Sequence, residues 1–579
     1  MTTSTATPPP AWIERSNALA LPVLDVFMRF DPETGSTLGV PGCDERVLDL
    51  EPGLDDRMTA EFGAARDAMR QARTRESDPF VLQDVDIVID ALERQLDRIA
   101  AEQARLVPYR DLVQTIFEGL RVLLDERNPP ARRALAVARL ERYAGTTPGA
   151  TPLTELAMAR FRERAGEASL LGPFSDEVEK HAANIPILVG GLPALFEAAG
   201  IAGWSNAFAA LESAAAAYED FLVNEVRPRA RADFRLPAEL YAVALRDTGV
   251  DMPATELASR AQVSFREIQY EMQAIAPLVA HERGLPATGY REVLRALKAE
   301  QFEGEAILPH YEARLKDLEA IIRREGIVSL PGRDAIIRLA GPAESAASPA
   351  PHMDPPRMLG NTGERGVFVL PLRVPGRPGE AVLAYDDFTF AAASWTLTAH
   401  EARPGHELQF AAMVEVGVSI ARQLFAFNST NAEGWALYME AEMKPYEPLD
   451  GQLAALQHRL MRAARAYLDP GLQGGTITRE EATRILVEDV VLSPAMALQE
   501  VERYTFRMPG QATSYFCGYQ RLLELRTEVE RRLGGRFVRQ RYHDFLLAQG
   551  LLPPGLLARA VREQFIPGER AAPQAASGS

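Results

Sequence analysis

Apolar residues recur at three- and four-residue steps through much of the first half of this 579-residue chain. One such stripe follows Pro79 and another follows Pro253. Because residues three or four apart share one face of a helix, each stripe predicts an amphipathic helix with a buried face. Residues 55–330 are therefore predicted to form a series of such helices. The first stripe comprises Leu82, Val85, Val88, Leu92, Leu96 and Ile99, and the second Leu257, Ala261, Phe265, Ile268, Met272 and Ile275.

The composition is typical of a large folded protein. Apolar residues make up 47% of the chain and charged residues 25%, as in ordinary globular domains. With the helical stripes, this predicts a mainly α fold, a multi-helix body that encloses a cleft or channel. Residues 1–50 are expected to form a partly disordered extension, and residues 51–340 one side of the cleft. Residues 341–566 are expected to belong to the same body and to contain the candidate functional residues described below. A disordered tail is expected at 567–579.

Charge, cysteine content and the N-terminal segment limit the classes of partner. The formal net charge of −17 disfavours nucleic acid, because nucleic-acid-binding proteins gather basic side chains on one face. Cys43 and Cys517 provide no disulfide framework. Met1–Pro10 lack the basic and apolar regions of a secretory signal, and no apolar stretch reaches the about 20 residues that cross a bilayer. We expect a cytoplasmic protein without a nucleic-acid or membrane partner.

Two strand-like runs follow the helical half of the chain. Val367–Val374 and Ala381–Tyr385 are separated by the turn-forming segment Pro375–Gly379, which predicts a small hairpin or sheet at about 366–388. A loop rich in Ala, Pro, Ser and Gly, Gly341–Gly366, precedes the first run. The edge of the sheet is able to bind a peptide as an added strand. The alternative is a structural flap.

A histidine–glutamate pair just beyond the hairpin is the strongest chemical signal. His400 and Glu401 are followed by a second histidine, His406, six residues after the first. The zincin signature has two histidines four residues apart on one helix face, with the glutamate after the first acting as general base. The segment is therefore predicted to be a zinc-hydrolase site in altered form, on a helix beside the hairpin.

The wider spacing of the histidines requires a break in that helix. Six residues of regular helix rotate a side chain by about 240°, so His400 and His406 would not share an ion. Pro404 and Gly405 stand between them. Proline removes a helical hydrogen bond and glycine accepts backbone angles closed to other residues. We predict that the helix is bulged or broken there, which favours His406 over Glu407 as the second ligand.

The third ligand is expected from a downstream apolar stretch, as in His2Glu zinc sites. Glu433 precedes the stretch Gly434–Met439, where a carboxylate is costly unless it is paired or bound to metal. Glu440 lies on nearly the same helix face and is either the alternative ligand or a group that orients one. Gln409 is a second candidate for an orienting role. One zinc ion is predicted.

Further residues near the C-terminus are candidates for contact with the substrate. Attack on a carbonyl develops negative charge, which fixed donors must stabilise. Tyr515 is the first candidate donor, because a phenol donates a hydrogen bond without losing its proton, and His543 is the second. Arg503, Tyr504 and Arg507 are candidates to bind a substrate carboxylate, for which arginine is well suited. The alternatives are core side chains with satisfied hydrogen bonds and an ion-paired helix face.

Three long motifs carry a family resemblance. They are His-Glu-x-x-Pro-Gly-His-x-x-Gln at His400–Gln409, Glu-Gly-Trp-Ala-Leu-Tyr-x-Glu at Glu433–Glu440, and Arg-Tyr-x-x-x-x-Pro-Gly-Gln-Ala-x-Ser-Tyr at Arg503–Tyr515. Together they resemble the bacterial family named domain of unknown function 885, from about residue 230 to 565 and more faintly toward the N-terminus. The resemblance implies a mostly helical zinc-dependent peptidase, distantly similar in architecture to thimet oligopeptidase and angiotensin-converting enzyme. It also implies that the zinc ligands and the general base are His400, His406, Glu433 and Glu401.

These features predict a zinc-dependent hydrolase of short peptides. Glu401 is expected to take a proton from metal-activated water and return it to the leaving nitrogen. By analogy with helical oligopeptidases, a channel among the helices would exclude folded proteins. The alternatives are a metal-binding or scaffold protein without turnover, and a metal-dependent hydrolase of esters or non-peptide amides. A homodimer is compatible with the sequence.

Overall fold

The computed structural model describes residues 10–372 and 385–571, and α-helices make up most of both ranges. The predicted mainly α fold with a small sheet is confirmed. The helices of the first half are α1 (Ala11–Phe30), α2 (Pro32–Leu38), α3 (Leu54–Arg73), α4 (Pro79–Arg105), α5 (Leu112–Leu124), α6 (Pro130–Arg133), α7 (Leu135–Tyr143), α8 (Leu153–Arg164), α9 (Ser175–Ala198), α10 (Ser205–Phe221), α11 (Ala238–Asp247), α12 (Ala254–Arg283), α13 (Tyr290–Lys298) and α14 (Ile307–Glu325).

The second half contains shorter helices around the predicted site. They are α15 (Pro342–Ala347), α16 (Ala393–Glu401), α17 (His406–Val416), α18 (Ser429–Met443), α19 (Leu449–Gln473), α20 (Arg479–Arg484), α21 (Pro494–Glu502), α22 (Ser514–Leu533), α23 (Arg539–Ala548), α24 (Pro554–Ala560) and α25 (Ile566–Ala571). Single π-helical turns occur at Leu222–Val226, Ala421–Phe425, Ile485–Asp489, Arg503–Arg507 and Val561–Phe565. Single 3₁₀ turns occur at Arg227–Arg229, Gly304–Ala306, Lys444–Tyr446, Gln511–Thr513 and Gly534–Arg536.

The two apolar stripes of the sequence form the buried faces of α4 and α12, as predicted. Leu92 on α4 and Leu257 on α12 are completely buried. The start of α4 has the chemistry of a good N-cap, because the Asp78 carboxylate accepts hydrogen bonds from the backbone N–H groups of Phe80 and Val81. Pro253 occupies the equivalent position ahead of α12. Local capping and periodicity therefore agree on where these helices begin and which face they bury.

Two hydrophobic cores meet at α16. The first is built mainly from α1 to α10 and the C-terminal helices, and the second from α12 to α14, the sheet, α19 and α21. On α16, Ala399 belongs to the first core and Leu397 to the second. This helix also packs against α14, α18 and α19. The helix that carries His400 is therefore held from several sides.

The sheet differs from the predicted hairpin. Its strands are β1 (Ile336–Leu339), β2 (His352–Asp354) and β3 (Val367–Leu370), in the order β1-β3-β2. Strand β3 pairs parallel with β1 and antiparallel with β2, so the first predicted strand has partners that precede it in the chain. Of the second predicted strand, Tyr385 is described and lies outside any strand, and 381–384 lie outside the described residues. The all-apolar β3 is buried because it is the central strand.

The predicted loop Gly341–Gly366 contains α15 and β2. Its acidic residues Glu344 and Asp354 both accept hydrogen bonds from Arg121 on α5, at 3.0 Å each. Arg338 on β1 also pairs with Glu344, at 2.6 Å. The two Arg121 contacts tie the segment to the helical half of the molecule. They join residues more than 200 positions apart in the chain, so local composition did not reveal them.

The segment expected to be a partly disordered extension contains helices α1 and α2. Ala20, Val23 and Leu24 are buried in the first core. Helix α1 packs there because it has an apolar face of its own. At the other end, α25 extends to Ala571, into the predicted tail. Within the described ranges, no helix combines the length and apolar character needed to cross a membrane.

Candidate metal centre and adjoining cavity

The helix that carries the first histidine breaks where Pro404 and Gly405 stand, as predicted. Helix α16 ends at Glu401 and α17 begins at His406. A side chain at Gly405 would overlap the carbonyl oxygen of His400, so only glycine fits this close approach. The indole N–H of Trp435 donates to the carbonyl of Pro404 over 3.0 Å. The contact of Trp435, on α18, with Pro404 therefore stabilises the break.

The break brings His406 back to His400 and places both beside Glu433. Oε2 of Glu433 lies 3.4 Å from Nε2 of His400 and 3.2 Å from Nε2 of His406. The three ligand atoms all lie within 4.8 Å of one another. The two imidazole rings meet edge to face, at 84° and a centroid distance of 4.7 Å. The geometry thus unites three residues from α16, α17 and α18.

This arrangement fits a zinc ion. Zinc bonds of about 2.0–2.1 Å at tetrahedral angles separate neighbouring ligand atoms by roughly 3.3 Å, close to both measured separations from Glu433. The donor set is the His2Glu combination found in catalytic zinc sites, which leave one position open. Nδ1 of His406 is buried without a hydrogen-bond partner among the described residues. The residues present therefore match this metal in donor type and spacing.

Glu440 accepts a hydrogen bond from His400 on the side away from Glu433. Its Oε1 lies 2.7 Å from Nδ1 of His400, and its Oε2 accepts from the hydroxyl of Thr396 at 2.6 Å. Burial opposes ionisation of Glu440, but Arg462 and the hydrogen bond from His400 outweigh it and lower the pKa to about 2. An ionised carboxylate at Nδ1 orients the ring and leaves Nε2 free for a metal. Glu433, rather than Glu440, faces both histidines.

Glu407, the alternative to His406, points elsewhere. It is fully buried and accepts a hydrogen bond from Nε of Arg403 over 2.7 Å. Arg403 also donates to Glu319 over 2.6 Å. A carboxylate held in this buried ion pair is not available to the ligand group.

Glu401 ends α16 beside the ligand group. Its Oε1 lies 4.0 Å from Nε2 of His400, and its side chain is nearly buried. Glu401 also lines a cavity of about 90 Å³, whose wall includes His400 and Tyr515. A carboxylate between the ligand group and an open space is placed to exchange protons with a molecule in that space.

Tyr515 stands in the cavity wall next to His400. Its ring is stacked on the His400 ring, with an interplanar angle of 13° and a centroid distance of 6.1 Å. Arg503 donates to the Tyr515 hydroxyl over 3.2 Å. Burial raises the pKa of Tyr515, so its proton stays in place at neutral pH. Two of the candidates for substrate contact, Tyr515 and Arg503, therefore lie together at the cavity.

The structure places Tyr504 and Arg507 away from this cavity wall. The Tyr504 hydroxyl donates to Glu500 over 2.6 Å, inside the protein. Arg507 lines a different pocket, together with Asp111 and His181. The π-helical turn at 503–507 points successive side chains in different directions, so three nearby residues do not share one site. Of these three candidates, the structure places Arg503 alone in the wall of this cavity.

His543, the second candidate oxyanion donor, has both ring nitrogens in hydrogen bonds within the protein. Its Nδ1 pairs with the carbonyl of Ile327 at 2.8 Å and its Nε2 with the hydroxyl of Tyr438 at 2.9 Å. Burial lowers its pKa to about 3. With both ring nitrogens engaged, no donor is left for a substrate. Gln409 likewise bonds to Asn431, at 2.9 Å, rather than to a histidine of the ligand group.

Three cavity residues were missed by the sequence reasoning. His458, Arg462 and Arg465 all come from α19 and line the space beside His400. Burial lowers the pKa of His458 to about 3, and Arg462 adds to this effect. The available signal was a pair of arginines three residues apart on an otherwise apolar helix face. A buried arginine is costly without a partner, which makes that pattern informative.

The comparison with protein families concerns nearly the whole chain. Residues 32–561 match the family described as "Bacterial protein of unknown function (DUF885)". The chain belongs to this family. The match begins far ahead of the region where the motifs made the resemblance clear, and so includes most of the N-terminal helices. No curated protein matches the chain.

Two solved structures of this fold are similar over nearly their full length. A protein from Colwellia psychrerythraea aligns with a TM-score of 0.77 and 17% identity, over 96% of this chain and 99% of that one. One from Shewanella oneidensis aligns with a TM-score of 0.71 and 18% identity, over 96% of this chain and 100% of that one. Both are described as a "putative lipoprotein", the second of unknown function. At this identity the likeness shows a shared fold.

Proposed function

We propose that this protein is a zinc-dependent hydrolase that cleaves amide bonds in short peptides. The observation that carries the proposal is the group of His400, His406 and Glu433, whose ligand atoms lie within 4.8 Å of one another, with Glu433 3.4 and 3.2 Å from the two histidines. Both separations from Glu433 are close to those around one tetrahedral ion. Glu401 lies at the same point, beside an open cavity. Metal ligands, a free carboxylate and a space for substrate are the parts that metal-assisted hydrolysis needs.

The roles of the side chains follow from their positions. When bound, zinc supplies a Lewis acid that makes water nucleophilic near neutral pH. Glu401 removes a proton from the attacking water and delivers it to the leaving nitrogen. The Tyr515 hydroxyl donates a hydrogen bond to the oxygen that becomes negative, and Arg503 stabilises the tyrosine in that orientation. Glu440 holds the His400 ring in place throughout.

The burial of the site supports a short substrate. His400 and Tyr515 are both buried, so only a narrow part of a substrate, such as an extended peptide, reaches them. A folded protein would not present its backbone at such a depth, which favours small peptides.

The test combines metal analysis with cleavage of a library of short peptides. We expect about one zinc per chain after zinc loading, and peptide cleavage that falls at least about 1,000-fold in Glu401→Gln while zinc is retained. Glu312→Gln, at an exposed position on α14, is the matched control and is expected to keep full activity. Zinc binding with undiminished cleavage in Glu401→Gln would contradict the mechanism. Cleavage of esters but not of peptides would change the proposed substrate from a peptide to an ester. Absence of metal binding would contradict the proposal as a whole.

A further inference from the structure

Three arginines surround Tyr515 at the cavity. Arg462 and Arg465 come from α19, and Arg503 from the π-helical turn after α21. Their guanidinium carbons lie 5.6, 4.5 and 5.6 Å from the centre of the Tyr515 ring. All three line the cavity next to His400. We call Arg462, Arg465 and Arg503 the arginine cluster.

The cluster carries more positive charge than its immediate carboxylates neutralise. Glu500 takes a two-pronged contact from Arg465, with both oxygens at 2.7 Å, and a longer one of 3.4 Å from Arg503. Glu440 lies 3.6 Å from Arg462 and also accepts from His400. Three guanidinium groups therefore face two carboxylates, which leaves one positive charge at the wall.

Other titratable groups nearby do not remove this excess. Asp387 also lines the cavity, but Lys298 donates to it over 2.9 Å. Asp469 is completely buried, and burial raises its pKa to about 8, so it is mostly neutral at pH 7. His458 is neutral as well, since burial lowers its pKa to about 3. Glu401 and Glu433 belong to the metal side of the cavity. The wall thus favours an added anion.

Two donors of the cluster have no partner. Nη1 of Arg465 and Nε of Arg462 are buried and make no hydrogen bond within the described residues. Arg465 is 3% exposed and Arg462 is 4% exposed. Buried donors of charged groups are costly when they are unpaired. Acceptor oxygens from a molecule in the cavity would satisfy them, and carboxylate oxygens suit guanidinium groups well.

The cluster lies close to the metal ligands. The Tyr515 ring lies 6.1 Å from the His400 ring and 4.5 Å from the guanidinium of Arg465. Glu440 lies 2.7 Å from Nδ1 of His400 and 3.6 Å from Arg462. The anion site is therefore at most roughly 11 Å from His400. An extended peptide advances about 3.3–3.6 Å per residue. A carboxylate at the cluster would lie one or two residues away from the bond at the metal.

We propose that the arginine cluster binds a carboxylate of the substrate, so that cleavage occurs one or two residues before a free C-terminus. This inference rests on the proposed function. Water is added across the amide bond: the carbonyl carbon gains the water oxygen, the C–N bond breaks, and the nitrogen takes a proton. The product that leaves is an amino acid or a dipeptide. An Asp or Glu side chain at the same position offers the same chemistry.

The first experiment compares peptides with and without the carboxylate. Tetrapeptides with a free C-terminus, their C-terminal amides, and amides ending in Asp are offered to the zinc-loaded protein, and products are identified by mass spectrometry. We expect kcat/KM for the free acids to exceed that for the plain amides at least about 30-fold. If the amides ending in Asp are cleaved as well as the free acids, the cluster also accepts a side-chain carboxylate at that position. Equal cleavage of acids and plain amides would overturn the inference and leave the peptidase intact.

The second experiment measures binding without turnover. Isothermal titration of zinc-loaded Glu401→Gln compares N-acetyl-glycyl-leucine with its C-terminal amide. We expect the acid to bind at least about tenfold more tightly, and Arg503→Gln added to that background to abolish the preference. This change leaves Glu500 paired with Arg465. The control is Arg459→Gln. Arg459 lies on α19, like Arg462 and Arg465, but pairs with Glu271, so this variant is expected to keep the preference.

The two experiments separate the two proposals. Preferential binding of the acid without cleavage of any peptide would support the carboxylate site and contradict the peptidase. Equal binding of acid and amide, or no binding of either, would overturn the carboxylate site whatever the peptidase result. Loss of the acid preference in Arg459→Gln would show that charge alone, rather than the cluster, produces it.

Discussion

At the scale of single residues, the site depends on a glycine as much as on the charged side chains. Gly405 has no side chain, and this allows the chain to pass against the carbonyl of His400 and start α17 with His406. Glu433 then lies within reach of both histidines, while Glu440 holds the far side of His400. A six-residue spacing becomes compatible with one ion because of this single close approach.

Gly405→Ala should therefore displace His406 and weaken zinc binding. The added methyl group would overlap the His400 carbonyl, and such overpacking typically costs about 1–3 kcal/mol of folding free energy. Zinc content after dialysis and urea unfolding measure the two effects. Gly190→Ala, on α9 with open space around the position, is expected to leave zinc binding unchanged. Full zinc occupancy in Gly405→Ala would contradict the account of the break.

Glu447 should make stability depend on pH. Both of its carboxylate oxygens are buried without hydrogen-bond partners in the described part of the chain, and burial, with Glu440 nearby, raises its pKa to about 8. The native state therefore retains a proton that the unfolded chain loses near pH 4, so the contribution of Glu447 to stability falls between about pH 4 and pH 8. Glu447→Gln removes this loss.

The measurement for Glu447→Gln is urea unfolding at pH 5 and pH 8. We expect the variant to gain stability over the wild type at pH 8, and to gain clearly less at pH 5. Glu312→Gln, at an exposed position, should leave the difference between the two pH values as it is in the wild type. A gain for Glu447→Gln that is equal at both pH values would contradict the assignment.

At the scale of elements, two helices touch backbone to backbone beside the site. Gly434 on α18 and Gly518 on α22 face each other, and a side chain at Gly434 would come within 2.6 Å of the Gly518 Cα atom. Glu433 and Tyr515 lie one and three residues from these glycines. The close packing of α18 on α22 therefore sets the position of Glu433, a proposed metal ligand, relative to the cavity wall.

Gly518→Ala should push these helices apart. Its methyl group would overlap the carbonyl of Thr430 on α18, which is expected to cost about 1–3 kcal/mol of stability and to lower zinc affinity with it. Thermal unfolding and zinc titration are the measurements. Gly63→Ala, inside α3 with nothing close to the new methyl group, should instead be neutral or stabilise by about 0.5–1 kcal/mol. Equal behaviour of the two variants would show that the helix contact is unimportant.

At the scale of the whole molecule, the ligand group joins elements that belong to two hydrophobic cores. Helix α16 contributes to both cores, and α18 contributes to the first. An ion shared by α16, α17 and α18 would bind the native state and not the unfolded chain. Metal binding should therefore be linked to global stability.

Zinc removal should lower the Tm of the protein. Binding at 1,000 times the Kd stabilises the native state by about 4 kcal/mol, so a chelator should lower Tm by several degrees and added zinc should restore it. Calorimetry with and without chelator measures the effect. His406→Ala should show no zinc-dependent change, whereas His281→Ala, at an exposed position on α12, should behave as the wild type. A chelator-insensitive Tm in the zinc-loaded protein would contradict the linkage.

Local pattern was enough to predict the helices and the break between His400 and His406. It was not enough for the sheet, because β3 takes partners from 336–354, which precede it in the chain. It also did not show that Ile327 and Tyr438 engage both ring nitrogens of His543. In each case the deciding contact joins residues far apart in the chain.

Periodicity, proline and glycine act over a few residues, so the amino-acid order is enough to predict the helical segments and the break between His400 and His406. The packing of distant helices places Glu433 against the histidines and Glu440 behind one of them. It alone brought Arg462 and Arg465 to Tyr515. The physical reason is that helix period selects a face, whereas the side chains that meet across that face depend on how distant helices pack.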